Sequence, residues 1–240
     1  RRGRSGGQHI LVATEFLTGD TFNDIGERTD SYYDDKDWWR ERFERFHMIA
    51  STAQAIWVST DHQIDAYRAA YPDIPVLRLP FCFSSQWNHR LSRVPDKLYD
   101  VFFTGAATDR RKRILGEIAS RARVYNPPGM YDSLYVQIGS QARIGLHLKL
   151  KDGWPYTSPM RHLSLLHCDT YIISEKCDLP GELDSFIEVV AEEELADVVA
   201  ERLRDPDLPQ KTRRQRAAFM KSGNIKLAFA DLLKQSLAVA

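Results

Sequence analysis

The stretch YDVFFTGAATDRRKRIL at positions 99–115 decides which fold this chain is expected to have. Its first residues, 99–105, form a short apolar run that ends in glycine, which is typical of a buried strand. The residues that follow, 108–122, repeat apolar side chains at three- and four-residue spacing, which predicts an amphipathic helix. A buried strand that leads directly into a helix is the first half of a parallel βαβ unit.

The same alternation continues on both sides of this stretch. Before it, strand patterns at 9–17, 55–60 and 76–81 are separated by helical patterns at 34–52 and 61–71. After it, the chain has strand patterns at 123–126, 142–150, 169–175 and 186–190, and helical patterns at 131–141, 158–168, 192–205, 210–221 and 224–237. We therefore predict an α/β protein made of two Rossmann-like units with parallel sheets.

The two units are expected to be separated by a linker, because residues 82–97 show no clear periodicity. The predicted organisation is a flexible arm at 1–8, an N-terminal unit at 9–83, a linker at 84–97, a C-terminal ligand-binding domain at 98–209 and further helices at 210–240. Open parallel sheets bind ligands beyond the carboxyl ends of their strands. Two such units facing each other predict a ligand cleft.

Composition narrows the class of protein. The 240 residues are 43% hydrophobic, which is ordinary for a globular protein, and no apolar run is long enough to span a bilayer. Thirty-three basic residues balance thirty-three acidic ones, which removes the general attraction of a basic chain for nucleic acid. The three scattered cysteines predict reduced thiols and a cytoplasmic location.

A cluster of cations, residues 110–113, heads the helix that follows Gly105. Cations at a helix N-terminus oppose the helix dipole unless an anion lies nearby. Glycine lets a ligand approach the backbone, and a helix N-terminus favours phosphate. Two interpretations stay open: a solvated basic face, or a phosphate-binding turn. If the cluster is a phosphate-binding turn, replacing Arg111 with alanine is expected to weaken binding of a nucleoside diphosphate and barely to change the melting temperature without ligand.

Several short motifs follow one another between residues 97 and 210: FFTG, RKRIL, IGLHLKL, PMRHLSLLHC, YIISE and PGEL. Their order resembles the C-terminal donor-binding domain of GT-B glycosyltransferases, in particular the CgeB-like group related to glycosyl transferase group 1. The resemblance implies a transferase that moves a hexosyl group from a nucleotide-sugar to an acceptor that the sequence does not identify, without a cofactor. Two positions depart from the pattern: Ser164 stands in place of a glutamate, and Cys168-Asp169 in place of a glycine.

The resemblance also implies roles for individual residues. Gly105 would lie beneath the donor's diphosphate, which Arg111 and Arg161 would bind. Glu175 would lie near the donor sugar, and Glu182 would bind the ribose hydroxyls. The sequence has no tight cluster of His and Cys, so we expect a metal-independent reaction in which arginine and helix N-termini stabilise the leaving diphosphate. The spacing of the two glutamates leaves a retaining or an inverting reaction open.

Other residues have two interpretations each. Glu15 ends the first predicted strand, where a carboxylate either deprotonates the acceptor hydroxyl or caps the following loop. His147 is either a core imidazole or a side chain that faces the donor. Trp154 and Tyr156, in the loop before the helix of Arg161, are candidates to stack on a base or a sugar. The aromatic residues of 38–43 are either core or a platform for a sugar.

Two alternatives to a complete glycosyltransferase remain. One is a non-catalytic GT-B-like structural or assembly protein that retains nucleotide binding. The other is transfer to a nucleic-acid base, against which the neutral net charge counts. The N-terminal unit, with three predicted strands, is small for the fold that the resemblance implies. We therefore expect it to be reduced or truncated.

Overall fold

The computed structural model describes residues 9–25, 34–91, 96–127 and 132–238. The predicted arm at 1–8 lies outside the described residues. Contacts divide the chain into two compact units, one formed by Arg1–Pro80 with Lys226–Ala240 and the other by Phe81–Ile225. No helix in the described ranges is long and apolar enough to cross a membrane.

The first unit is built on a three-stranded parallel sheet. In chain order its strands are β1 (Ile10–Ala13), the short antiparallel pair β2 (Leu17–Thr18) and β3 (Thr21–Phe22), β4 (Ala55–Val58) and β5 (Val76–Arg78). The parallel sheet has the order β1-β4-β5. Its helices are α1 (Lys36–Ala50) and α2 (Ile64–Ala70), and a single turn of 3-10 helix (Asp61–Gln63) precedes α2.

Helix α1 carries the aromatic residues of the first unit into its core. Asp35 caps the helix by accepting hydrogen bonds from the backbone N–H groups of Asp37 (3.0 Å) and Trp38 (3.1 Å). Phe43 and Phe46 pack edge-on against Phe22, with ring centroids 5.5 and 5.6 Å apart. These contacts favour the core interpretation of the aromatic stripe.

The last helix of the described chain, α8 (Ile225–Leu237), belongs to the first unit from Lys226 onward. The indole N–H of Trp57 on β4 donates a hydrogen bond of 2.9 Å to the hydroxyl of Ser236. The Trp57 ring also packs against Phe229, with centroids 5.6 Å apart. The sequence predicted this helix, but its period did not show which unit it would join.

The second unit contains a five-stranded sheet in which every pairing is parallel. Its strands are β6 (Tyr99–Phe103), β7 (Val124–Tyr125), β8 (Ala142–His147), β9 (Tyr171–Glu175) and β10 (Glu188–Val190). The predicted α/β fold with parallel sheets is confirmed. Within the segment predicted as a linker, the structure has a 3-10 helix at Ser85–Arg90.

The helices of the second unit are α3 (Asp109–Ala119), α4 (Asp132–Gly139), α5 (Pro159–Leu166), α6 (Leu195–Arg204) and α7 (Leu208–Met220), followed by α8 (Ile225–Leu237) of the first. Thr108 is the N-cap of α3, and Pro159 opens α5, where its missing N–H costs nothing. The predicted inward face of α3 is buried against the sheet: Ile114, Leu115 and Ile118.

The order of the strands shows where the chain reverses direction within the sheet of the second unit. The sheet runs β10-β9-β8-β6-β7, so the chain moves from β6 to one neighbour, β7, and then returns to the other side of β6 as β8. The loops that leave β6 and β8 therefore run to opposite sides and leave a crevice at the carboxyl ends of these strands. In open parallel sheets this reversal is where ligands bind.

Candidate functional site

Gly105 lies at this crevice, two residues beyond the end of β6. Its φ of +139° belongs to the region that side-chain-bearing residues rarely adopt. A Cβ atom at this position would lie 2.7 Å from Nη1 of Arg161 and 3.0 Å from Nη1 of Arg111. Two guanidinium groups, which the resemblance assigned to a diphosphate, therefore converge on the backbone of Gly105, and their binding of phosphate stays a prediction.

Replacing Gly105 with alanine is expected to lower the free energy of unfolding by about 1–3 kcal/mol, because the backbone conformation becomes strained. The new methyl group also displaces the Arg161 guanidinium. Chemical denaturation measures the first effect. Gly116→Ala is the matched control, since a Cβ there meets nothing within 4 Å. An unfolding free energy equal to that of the wild type would contradict the strain argument.

Arg111 is a buried residue, only 3% exposed. Its guanidinium donates to the carbonyls of Leu148 (2.7 Å), Lys149 (2.8 Å) and Ala106 (3.1 Å). The carbonyls of Leu148 and Lys149 follow β8, and that of Ala106 follows β6, so Arg111 ties together the two loops that border the crevice. These contacts argue against the expectation that its loss barely changes the melting temperature, and its role toward a diphosphate stays a prediction.

Arg161 has a different environment. It lies in the first turn of α5, is half-buried, and donates through Nη1 to the carbonyl of Thr104. Within the described ranges, no Asp or Glu lies within ion-pair distance of it. A half-buried cation without a carboxylate partner, placed against Gly105 at the sheet reversal, is electrostatically complementary to an anion.

Glu175 ends β9 as predicted, but its side chain is completely buried. Its Oε2 accepts hydrogen bonds from the backbone N–H of Lys149 (2.8 Å) and from Nη1 of Arg110 (3.0 Å). Lys149 Nζ lies 3.3 Å from its Oε1. Glu175 thus holds the loop after β8 and is enclosed by cations.

Arg110 is the centre of this ion network, which the sequence did not reveal. It is 8% exposed and contacts Glu175, Glu192 and Asp152, the last at 2.6 Å. Burial alone would lower the pKa of Arg110, but the hydrogen bonds and charges of these carboxylates raise it above its usual value. The solvated-face interpretation therefore applies to Lys112 and Arg113, which are exposed, and not to Arg110.

A second polar cluster lies between β8, β9 and α5. The Ser174 hydroxyl is 3.2 Å from Nδ1 of His147 and 3.0 Å from Nε2 of His162. Burial lowers the pKa of His162 to about 3, and burial followed by the charges around it lowers that of His147 well below its usual value. Both imidazoles are therefore neutral at physiological pH.

The structure also gives the surroundings of the two remaining predicted residues. Glu182 is half-buried in the loop between β9 and β10. Glu15 follows β1 in the first unit, where it pairs with Arg42 at 3.1 Å and accepts a 2.8 Å hydrogen bond from Asn23. These contacts support its interpretation as a loop cap, and its role as a base stays a prediction. The described ranges hold no group of three or more His, Cys, Asp or Glu side chains suited to a metal ion.

Comparison with known proteins gives similarity in structure alone. No protein-family model matches the sequence, and no curated protein is similar to it in sequence. Among solved structures, TarM of S. aureus, in complex with fondaparinux, α-GlcNAc-glycerol and UDP, is 8% identical with a TM-score of 0.61; the match covers 96% of this chain and 51% of that one. WaaG, a glycosyltransferase involved in lipopolysaccharide biosynthesis, is 12% identical with a TM-score of 0.58; the match covers 96% of this chain and 75% of that one.

A third neighbour, OtsA without ligand, is 8% identical with a TM-score of 0.53; the match covers 81% of this chain and 63% of that one. These neighbours have the GT-B fold, and the chain spans about half the length of TarM. At such identities the likeness shows the fold. The expected similarity to the GT-B superfamily is thereby confirmed at the level of the fold, and the narrower resemblance to the CgeB-like group stays a prediction.

Proposed function

We propose that this chain, which has the GT-B fold, binds the diphosphate of a nucleotide-sugar at Gly105 and takes part in transfer of the sugar to an acceptor. One observation carries the proposal: the half-buried guanidinium of Arg161 contacts the Gly105 turn and has no carboxylate partner among the described residues. The position is the strand-order reversal of a parallel sheet, where such folds bind their ligands.

The chemistry of the site suits a diphosphate leaving group. Transfer of a glycosyl group leaves negative charge on the nucleoside diphosphate, and fixed positive charge stabilises it. Arg161 supplies hydrogen-bond donors, and the buried charge of Arg111 lies beside it. The N-terminus of α3 adds a positive dipole end. These groups support a reaction without a metal ion or cofactor.

Within this proposal Glu175 is a positioning residue. It holds Arg110 and the Lys149 backbone, and Arg111 binds the carbonyl of the same Lys149. Loss of Glu175 therefore acts on the anion site through the loop after β8. Contact of Glu182 with the ribose and proton abstraction by Glu15 remain parts of the proposal that rest on the resemblance.

Replacing Arg161 with alanine is expected to weaken binding of a nucleoside diphosphate about 10- to 100-fold, the worth of a charged hydrogen bond. Isothermal titration with UDP, GDP, ADP and dTDP measures this loss. Arg161→Lys keeps the charge without the planar fork, so it is expected to recover part of the affinity. The control is Arg113→Ala, which removes an exposed arginine from α3. Equal losses in Arg161→Ala and Arg113→Ala would contradict the proposed site.

Binding without transfer is the second candidate, and a specific observation favours it. Both carboxylates that the sequence offered for chemistry are engaged: Glu175 with Arg110 and Lys149, and Glu15 with Arg42. Incubation with UDP-, GDP-, ADP- and dTDP-sugars separates the two candidates, because a transferase releases the nucleoside diphosphate by slow hydrolysis even without its acceptor. Tight binding of a nucleotide-sugar with no release above the rate in buffer would favour the binding protein.

A further inference from the structure

The buried cluster of His147, Ser174 and His162 extends to a fourth polar residue. Asp184, in the 3-10 helix (Asp184–Phe186) that precedes β10, places Oδ1 3.7 Å from Nδ1 of His162. Among the described residues, Nδ1 of His162 has no hydrogen-bond partner, and Oδ2 of Asp184 accepts a 2.7 Å hydrogen bond from the Gly181 backbone N–H. The four side chains therefore form a line from Asp184 to His147, which is the last residue of β8.

Counting protons along this line limits the tautomers that the two imidazoles can adopt. The Ser174 hydroxyl has a single proton, and it has three acceptors within reach: His147, His162 and the Glu175 carbonyl at 3.2 Å. Whenever that proton goes to His162 or to the carbonyl, Nδ1 of His147 must donate to the Ser174 oxygen. Only a proton directed at His147 gives the opposite tautomer, with the hydrogen of His147 on Nε2.

Asp184 disfavours that last arrangement. If Ser174 donates to His147, then Nε2 of His162 must donate to Ser174, which leaves a bare lone pair on Nδ1 of the neutral His162 ring. That lone pair would face the carboxylate oxygen of Asp184 in a buried environment, and two acceptors repel each other there. Burial raises the pKa of Asp184 above its usual value. In its ionised form this carboxylate favours a proton on Nδ1 of His162, with Ser174 donating to its Nε2.

The position of His147 in the fold gives its tautomer, with the proton on Nδ1, a role in ligand binding. His147 is a buried residue that ends β8, directly after Leu146, which pairs with Phe103 two residues before Gly105. Burial and the neighbouring His162 lower its pKa most, and the charges of Arg161 and Arg111 add to this shift. Those are the two guanidiniums that converge on Gly105. A neutral imidazole with its proton on Nδ1 presents only a lone pair at Nε2. Such a group accepts hydrogen bonds, and it does so best from a hydroxyl.

We propose that Asp184, His162 and Ser174 hold His147 with its proton on Nδ1, so that Nε2 accepts a hydrogen bond from a hydroxyl group of the nucleotide-sugar. The inference rests on the proposed function, since the nucleotide-sugar supplies the hydroxyl. His147 is the binding residue, and the other three are positioning residues. The hydroxyl belongs either to the ribose or to the transferred sugar.

The binding part is tested with His147→Phe, which keeps a planar ring and removes the acceptor. Titrations use inorganic pyrophosphate, then UDP, GDP and ADP, then UDP-glucose, GDP-mannose and ADP-glucose. If His147→Phe lowers the affinity for the nucleotide-sugar alone, by about tenfold, the hydroxyl belongs to the sugar. If the affinity for the nucleoside diphosphate falls by the same factor, the hydroxyl belongs to the ribose. Pyrophosphate affinity is expected to stay at the wild-type value.

Two further variants guard against a purely structural effect. His147→Gln keeps an acceptor and is expected to recover part of the lost affinity. His167→Phe removes hydrogen bonds to Ser84 (3.1 Å) and Leu163 (2.7 Å) at the far end of α5 and is expected to bind all ligands as the wild type does. Unchanged affinities in His147→Phe, or an equal loss that includes pyrophosphate, would overturn the inference. Absence of any nucleotide or pyrophosphate binding in the wild type would refute the proposed function itself.

The positioning part has a spectroscopic test that does not depend on a ligand. Long-range proton–nitrogen correlation spectra of the 15N-labelled protein show which nitrogen of each imidazole carries the proton. His147, assigned by the signal that disappears in His147→Phe, is expected to carry it on Nδ1. In Asp184→Asn the carboxamide can donate to His162, so the constraint is lost and both tautomers of His147 are expected. A proton on Nε2 of His147 in the wild type would overturn the relay.

Discussion

Replacing Arg111 with alanine is expected to lower the free energy of unfolding by about 3 kcal/mol or more. The guanidinium is 3% exposed, and its loss leaves the carbonyls of Leu148, Lys149 and Ala106 without their donors. Each unpaired buried acceptor costs about 1–3 kcal/mol, and the vacated volume removes the contact with the Phe103 ring, 5.3 Å from the guanidinium. Urea denaturation followed by circular dichroism measures the loss.

The comparison for Arg111 is Arg113→Ala in the same helix. Arg113 is 55% exposed, and its ion pairs with Glu117 and Glu192 lie at the surface. Its replacement is expected to leave the urea midpoint close to that of the wild type, because exposed pairs are screened by solvent. If Arg111→Ala is no less stable than Arg113→Ala, Arg111 does not tie the two loops together.

Replacing Glu175 with glutamine is expected to cost about 3 kcal/mol, although the two side chains have almost the same shape. Glutamine removes the negative charge that Arg110 and Lys149 surround in a fully buried position. The cost is placed at the low end for a broken buried pair, because Glu192 and Asp152 still contact Arg110. Urea denaturation again gives the value, with Glu117→Gln as an exposed control.

A double-mutant cycle separates the ion pair from the shape of the side chain. Arg110→Leu with Glu175→Leu removes both charges, and an apolar pair in their place is often nearly neutral in stability. We expect the double variant to lose less stability than the sum of the two single variants. Simple additivity would mean that Arg110 and Glu175 do not stabilise each other.

Local patterns predicted the helices and strands of this chain well, because the side-chain spacing and the capping residues that produce each element lie within a few residues of it. The period of α3 placed Ile114, Leu115 and Ile118 on its buried face, and Ser158 with Pro159 marked the start of α5. The glycine at the end of β6 marked the sheet edge where the guanidiniums converge.

The candidate site was only partly predictable. Gly105, Arg111 and Arg161 were all named from the sequence, and the structure brings them together. The sequence did not indicate that Arg111 binds backbone carbonyls while Arg161 lacks a carboxylate. It also did not reveal Arg110 as the centre of an ion network, because its partners Glu175 and Glu192 are distant in the sequence.

The sequence by itself determined the alternation of strands and helices, the parallel class of the sheets and the cations at the start of α3, because side-chain period and capping act over one or two turns. The tertiary structure alone decided the strand order, the return of α8 to the first unit and the partners of each arginine. Arg110 meets Glu175 across 65 positions, and Arg111 meets Leu148 across 37. Such contacts depend on which strands become neighbours, and no local pattern contains that information.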